Sequence, residues 1–234
     1  MNISANQFKT LSEKIAKLIN LRTLDMNGNY LTSLPDTLDQ IPLDEYLYIA
    51  DNCFEELPDV ICKLSQLKYL NCSGNQLTKF QDEIGNMQSL IELRAYNNKL
   101  TYLPETIVNL TLIRELHLMK NQLKRLPAEI GKLNMLRILD CSDNELEVIP
   151  ESVGFLKNLK ILNLRNNHIK KIPEQVGHLE NLLYLDLRNN DLSELPTSLL
   201  QLKYLEKIDL RCNHKLMSMP WLDELRKIGC NILM

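Results

Sequence analysis

The sequence predicts an α/β repeat solenoid, an arc with a parallel β-sheet on its concave face and short helical or 3₁₀ turns on its convex face. Three observations carry the prediction. Asparagine recurs every 23 residues, at Asn6, Asn29, Asn52, Asn75, Asn98, Asn121, Asn144, Asn167, Asn190 and Asn213. Apolar columns keep step with it: five residues earlier the column runs from Leu24 and Leu47 to Leu185 and Ile208, and two residues later from Leu31 and Phe54 to Ile169 and Leu192. Six residues later stands proline, at Pro35, Pro58, Pro104, Pro127, Pro150, Pro173 and Pro196. One such unit cannot bury its apolar face alone, so the units must stack into a continuous core.

Each column has a physical role. The Leu-x-Leu alternation before the asparagine is a short strand with one face buried. The asparagine follows where the chain turns, and its amide can satisfy backbone groups of its own and adjacent repeats as a buried ladder. Proline removes a backbone donor and fixes the bend. Pairs such as Ile130 with Leu133 and Val176 with Leu179 form one helical or 3₁₀ turn packed inward from the outer side. Gly85, Gly131, Gly154 and Gly177 follow that apolar residue, where a helical turn is expected to end in a left-handed conformation.

The composite pattern Leu-x-x-Leu-x-Leu-x-x-Asn-x-Leu-x-x-Leu-Pro-x-x-Ile-x-x-Leu-x-x, well represented by Ile113 to Met135, resembles the 23-residue class of leucine-rich repeats. Similar repeats occur in plant intracellular Ras-group proteins, Ras-pathway scaffolds and bacterial proteins. The resemblance implies the fold and a binding function, without naming a partner.

Three segments are expected: a partial repeat or helical cap over residues 1–20, repeats over 21–215, and a cap over 216–234. Asp44 stands at an apolar strand-entry position, with Leu43 one residue early, and Phe80-Gln81 replaces Leu-Pro. After Asn213 the apolar residues slip by one, at Leu216 and Met219, before Leu222, Leu225 and Ile228 return to register. At the other end, either Phe8 to Leu18 forms a helical cap or the chain starts inside a longer array.

The chain has 234 residues, 44% hydrophobic and 24% charged, with a formal net charge of −3, so neither nucleic acid nor an anionic membrane is an expected partner. The first residues have no basic or apolar signal region, and no run approaches a membrane span. The six cysteines are scattered without a Cys-x-x-Cys pair, favouring reduced thiols and a cytoplasmic location, with an exported bacterial effector as the alternative. A monomer is expected. No phosphate loop, nucleophile elbow or His-Glu-x-x-His pair occurs. The four histidines fall in different repeats and no column offers converging ligands, so the sequence predicts no catalysis, no cofactor and no metal site. Cys212 beside Arg211 is the one thiol placed where a cation could activate it.

The expected function is binding of a protein partner on the concave face, as scaffold, adaptor or effector. The alternative is the recognition part of a larger enzyme, a ligase or GTPase. Neighbouring strands lie roughly 4.8 Å apart, so nine of them span about 40 Å. Two outward-facing groups stand out. Tyr46, Tyr48, Tyr69 and Tyr96, edged by Arg94, His117 and Met119, form an expected aromatic patch. Tyrosine and arginine are enriched at binding hot spots, although tyrosine also suits exposed strand positions. Arg165, Arg188 and Arg211 run beside Asn163, Asp186 and Asp209, either as a polar binding strip or as cross-strand ion pairs on a solvated sheet.

Overall fold

The computed structural model describes residues 1–217 and 219–234. Ten three-residue strands form one parallel sheet in sequence order: β1 (Thr23–Asp25), β2 (Tyr46–Tyr48), β3 (Tyr69–Asn71), β4 (Glu92–Arg94), β5 (Glu115–His117), β6 (Ile138–Asp140), β7 (Ile161–Asn163), β8 (Tyr184–Asp186), β9 (Lys207–Asp209) and β10 (Asn231–Leu233). Between successive strands as far as β9 the chain returns through 3₁₀ turns, such as Glu105–Asn109 and Glu174–His178, or the short helix α1 (Asp59–Cys62). The repeat solenoid expected from the sequence is therefore present, with one strand more than the nine counted there.

The middle residue of each strand from β1 to β9 is buried, Leu24, Leu47, Leu70, Leu93, Leu116, Leu139, Leu162, Leu185 and Ile208 in turn. Its two neighbours point to the opposite, solvated face, as period-two geometry requires. Pro35, Pro104, Pro150, Pro173 and Pro196 each lead into a 3₁₀ turn with extended backbone. Buried Ile107, Ile130, Val153 and Val176 drive those turns into the same core.

The asparagines make the expected ladder. Asn121 donates from Nδ2 to the carbonyls of Leu118 at 2.9 Å and Ala95 at 3.0 Å, and its Oδ1 accepts from the Leu100 amide at 3.0 Å. One side chain thus ties its own repeat to the preceding one. Asn6 is exposed and bonds only within its own segment, to the carbonyls of Ile3 and Ser4.

The residue before each asparagine has a left-handed backbone: Ala5, Gly28, Asp51, Gly74, Asn97, Lys120, Asp143, Asn166, Asn189 and Cys212 all have positive φ. Glycine, asparagine and aspartate fill most of that column because they tolerate this region. The expectation for the convex glycines is corrected: Gly85, Gly131, Gly154 and Gly177 are absent from the left-handed set. They are small because the next turn presses on them. A Cβ on Gly131 would lie 2.1 Å from the Ser152 carbonyl oxygen, and one on Gly177 would lie 2.4 Å from that of Ser198.

Both ends extend the sheet. Ile3 donates to the Asp25 carbonyl and Ala5 to that of Asn27, each at 2.8 Å, so the first residues run beside β1. A 3₁₀ turn, Glu13–Lys17, follows, capped by Ser12, where a helical cap was one of two expectations. At the other end α2 (Leu222–Lys227) buries Leu222 and Leu225. Ile228 does not return to register; it is 57% exposed, and Cys230 is buried instead. The helix and the turn at Gly229 take up one extra residue, so β10 pairs as Asn231↔Lys207, whereas earlier strands pair at the 23-residue step, as in Thr23↔Tyr46.

The sequence departures are absorbed locally. Leu43 is buried in place of Asp44, which is held by Arg22 at 2.7 Å. Phe80 is buried, and Gln81 donates to the Leu57 carbonyl at 3.0 Å.

Candidate functional site on the concave face

Strand residues whose side chains oppose the core line the concave sheet, and register decides which of them meet. Tyr46 pairs with Tyr69 and Tyr48 with Asn71 across β2 and β3. The Tyr46 and Tyr69 rings stack with centroids 4.5 Å apart, and Tyr46 stacks on Tyr48 at 5.7 Å. All three rings are half-buried, and burial pushes the Tyr48 phenol above its ordinary pKa. They border a depression of 250 Å³ that Asn71, Glu92 and Arg94 complete. Tyr96 and Met119 are also half-buried on this face, one and two strands further on. Tyr96 takes no part in the ring stack among the described residues, so the aromatic group is a compact trio with Tyr96 apart from it.

Beyond the trio lies a polar centre. Glu92 and Glu115 occupy paired positions of β4 and β5, as do Arg94 and His117. Arg94 donates from Nε to Glu92, and His117 Nε2 lies 3.1 Å from Glu115 Oε2. One ligand atom each from Glu92, Glu115 and His117 falls within 4.8 Å of the others. No single column brings these ligands together; the group draws on two. Two carboxylates of one column meet a histidine of the next, because residues two apart on a strand share a face. The signal was present in the sequence as Glu92 and Glu115 at one repeat position, with His117 two residues after the second.

The arginine column is internally paired. Arg165 lies 3.0 Å from Asp143, Arg188 lies 2.5 Å from Asp186 and 3.4 Å from Asp209, and Arg211 lies 2.8 Å from Asp209. Burial alone would raise the Asp209 carboxyl. The side chain and backbone of Arg211, with Arg188, hold it below its usual range. Sequence reasoning did not foresee a further depression of 160 Å³ lined by Ile161, Asn163, Tyr184, Asp186, Lys207 and Asp209. It lies where the outward column turns apolar.

The cysteines are unpaired. Cys72 and Cys141 are buried in the core, and burial pushes the Cys72 thiol up to about 12, so these thiols are inert at neutral pH. Cys212 is exposed in its left-handed turn. Among the described residues no helix is long and apolar enough to cross a membrane.

Comparison with known proteins places this geometry in a family. The model of the leucine-rich repeat region matches residues 4–105 and 153–231, and that of the leucine-rich repeat matches residues 135–156. A comparison with curated proteins finds no match. Among solved structures, a leucine-rich repeat protein of Leptospira interrogans is 32% identical with a TM-score of 0.86; the alignment covers 100% of this chain and 65% of that one. The chain therefore spans just under two thirds of that relative's length. The functional domain of InlJ from Listeria monocytogenes is 22% identical over 99% of this chain and 54% of its own, with a TM-score of 0.71. The plant peptide hormone receptor RGFR1, solved in complex with RGF2, is 24% identical over 94% of this chain and 46% of its own, with a TM-score of 0.58. The last two likenesses concern the fold alone. With matches over most of its length and the asparagine ladder in place, the chain belongs to the leucine-rich repeat proteins.

Proposed function

We propose that this chain is a non-catalytic binding module that takes a protein partner on its concave face, centred on Tyr46, Tyr48 and Tyr69. The observation that carries the reading is the ring trio itself. Three large amphipathic side chains are stacked and half-buried on the solvated side of the sheet, beside a depression. Rings fixed in this way lose little conformational freedom on binding, yet still offer apolar area and hydroxyl groups. Tyr96, Met119, Arg94 and His117 form the margin of the surface. Arg165, Arg188 and Arg211 are already neutralised by aspartates, so they tune association and salt dependence more than affinity. The six unpaired thiols support a reducing compartment, the cytoplasm, as its place of action.

The test is affinity capture of a partner by the whole chain, followed by titration of that partner against variants. Tyr48→Ala should weaken binding by about 2 kcal/mol, the size of a hot spot. Tyr96→Ala, outside the stack, should cost less, and Arg188→Ala should change mainly the salt dependence. Full affinity in Tyr48→Ala, with binding abolished in Arg188→Ala, would move the site to the other half of the arc.

A further inference from the structure

We propose that Glu92, Glu115 and His117 form a zinc site on the concave face, independent of the tyrosine reading. Three features of the chain support it. First, the ligand atoms already converge. One from each residue lies within 4.8 Å of the others, and tetrahedral zinc with bonds of about 2.0 Å needs separations of about 3.3 Å. The His117–Glu115 contact of 3.1 Å is close to that spacing.

Second, the backbone sets two carboxylates at neighbouring positions, where one cation could bridge them. Parallel register sets Glu92 directly beside Glu115. Like charges at paired strand positions repel, and half-burial reduces the screening. Arg94 offsets part of this charge through Nε on Glu92 Oε1, which leaves Oε2 for a metal. An outer hydrogen bond of this kind orients a ligating carboxylate.

Third, the donor set is one that zinc accepts. One imidazole with two carboxylates suits zinc, which takes nitrogen and oxygen ligands at low coordination number. Calcium needs six to eight oxygens and magnesium a near-octahedral shell, so neither fits three donors on a strand pair. Three protein ligands would leave a fourth position for water or a partner's side chain.

The experiment is calorimetric titration of the whole chain with Zn²⁺ alone, in a Cys212→Ser background because Cys212 is the exposed thiol. Binding of one Zn²⁺ per chain is expected, weakened at least ten-fold by His117→Asn and by Glu115→Gln. His168→Asn, at an exposed histidine in another repeat, should leave it unchanged. Thermal melts supply a second readout, since zinc should raise the Tm of the parent but not of His117→Asn. The substituted residues lie on the solvated face, and melts without metal will show whether the variants fold. No stoichiometric binding, or binding that both substitutions leave intact, would overturn the site.

Discussion

Replacing Asn121 by alanine isolates what the asparagine ladder contributes. Asn121 is buried near the middle of the solenoid. Its loss orphans the amide of Leu100, a fully buried residue whose hydrogen bond goes to Asn121 Oδ1 at 3.0 Å. The carbonyls fare better. Ala95 keeps the Asn98 amide at 3.1 Å and Leu118 keeps that of Asn144 at 3.0 Å, because each is shared by two rungs. One orphaned buried donor costs about 1–3 kcal/mol and each half-satisfied carbonyl some tenths more, so Asn121→Ala should cost about 2 kcal/mol. Asn6→Ala removes only exposed bonds within one segment and should cost under about 0.5 kcal/mol. Asn121→Asp should be worse than alanine: it keeps the acceptor for Leu100 but turns a carboxylate oxygen toward the carbonyls of Ala95 and Leu118. Urea melts give all three values, read from midpoints at unchanged slope. Equal losses at Asn6 and Asn121, or an aspartate milder than alanine, would refute the ladder as described.

Two further outcomes follow from the convex turns and the ion pairs. Gly131→Ala should destabilise by about 1–3 kcal/mol in the same melts, because its Cβ would meet the Ser152 carbonyl at 2.1 Å; a neutral or stabilising result would mean the turns are not in contact. Asp209 has a carboxyl pKa depressed in the folded chain, so its contribution is present above the unfolded value, about 3.9, and is lost as pH falls through the folded one. Asp209→Asn should therefore be less stable than the parent at pH 7, with the gap closing in melts below about pH 4; a gap constant down to pH 2 would count against it.

The repeat was legible in the sequence because each column is set by local chemistry. A buried strand centre must be apolar at every turn of the solenoid, and the ladder needs an amide at every rung. What stayed hidden depends on contacts between repeats. Gly131 looks like a helix-terminating glycine until the next repeat is laid against it. Lys120 and Cys212 hold left-handed positions that no residue preference would assign to them. Ile228 keeps the numerical spacing, yet α2 shifts the strand after it by one residue. The site was legible to the same degree. The tyrosines could be read off as columns. That Tyr46 stacks on both Tyr48 and Tyr69 while Tyr96 stands apart, and that Glu92 meets Glu115 and His117, required the strand register.

The two halves of the concave sheet differ in what a partner must displace. In the second half every arginine of the strip already has a carboxylate, and Asp209 is nearly inaccessible between Arg188 and Arg211. An incoming acidic group gains at Arg188 only what Asp186 gives up, so contacts there exchange one ion pair for another. In the first half no ion pair involves the ring trio among the described residues. Its faces are apolar, and covering them gains about 25 cal/mol per Å² of apolar area without breaking an ion pair. At the junction of the halves stand Glu92 and Glu115 at paired positions, with Arg94 bonded to Glu92 and His117 in contact with Glu115. A partner bringing an apolar surface to the rings and a cation to the carboxylates would satisfy both regions together. Binding energy is therefore expected to concentrate from β2 to β5, with the paired arginines from β7 onward governing which partners are turned away.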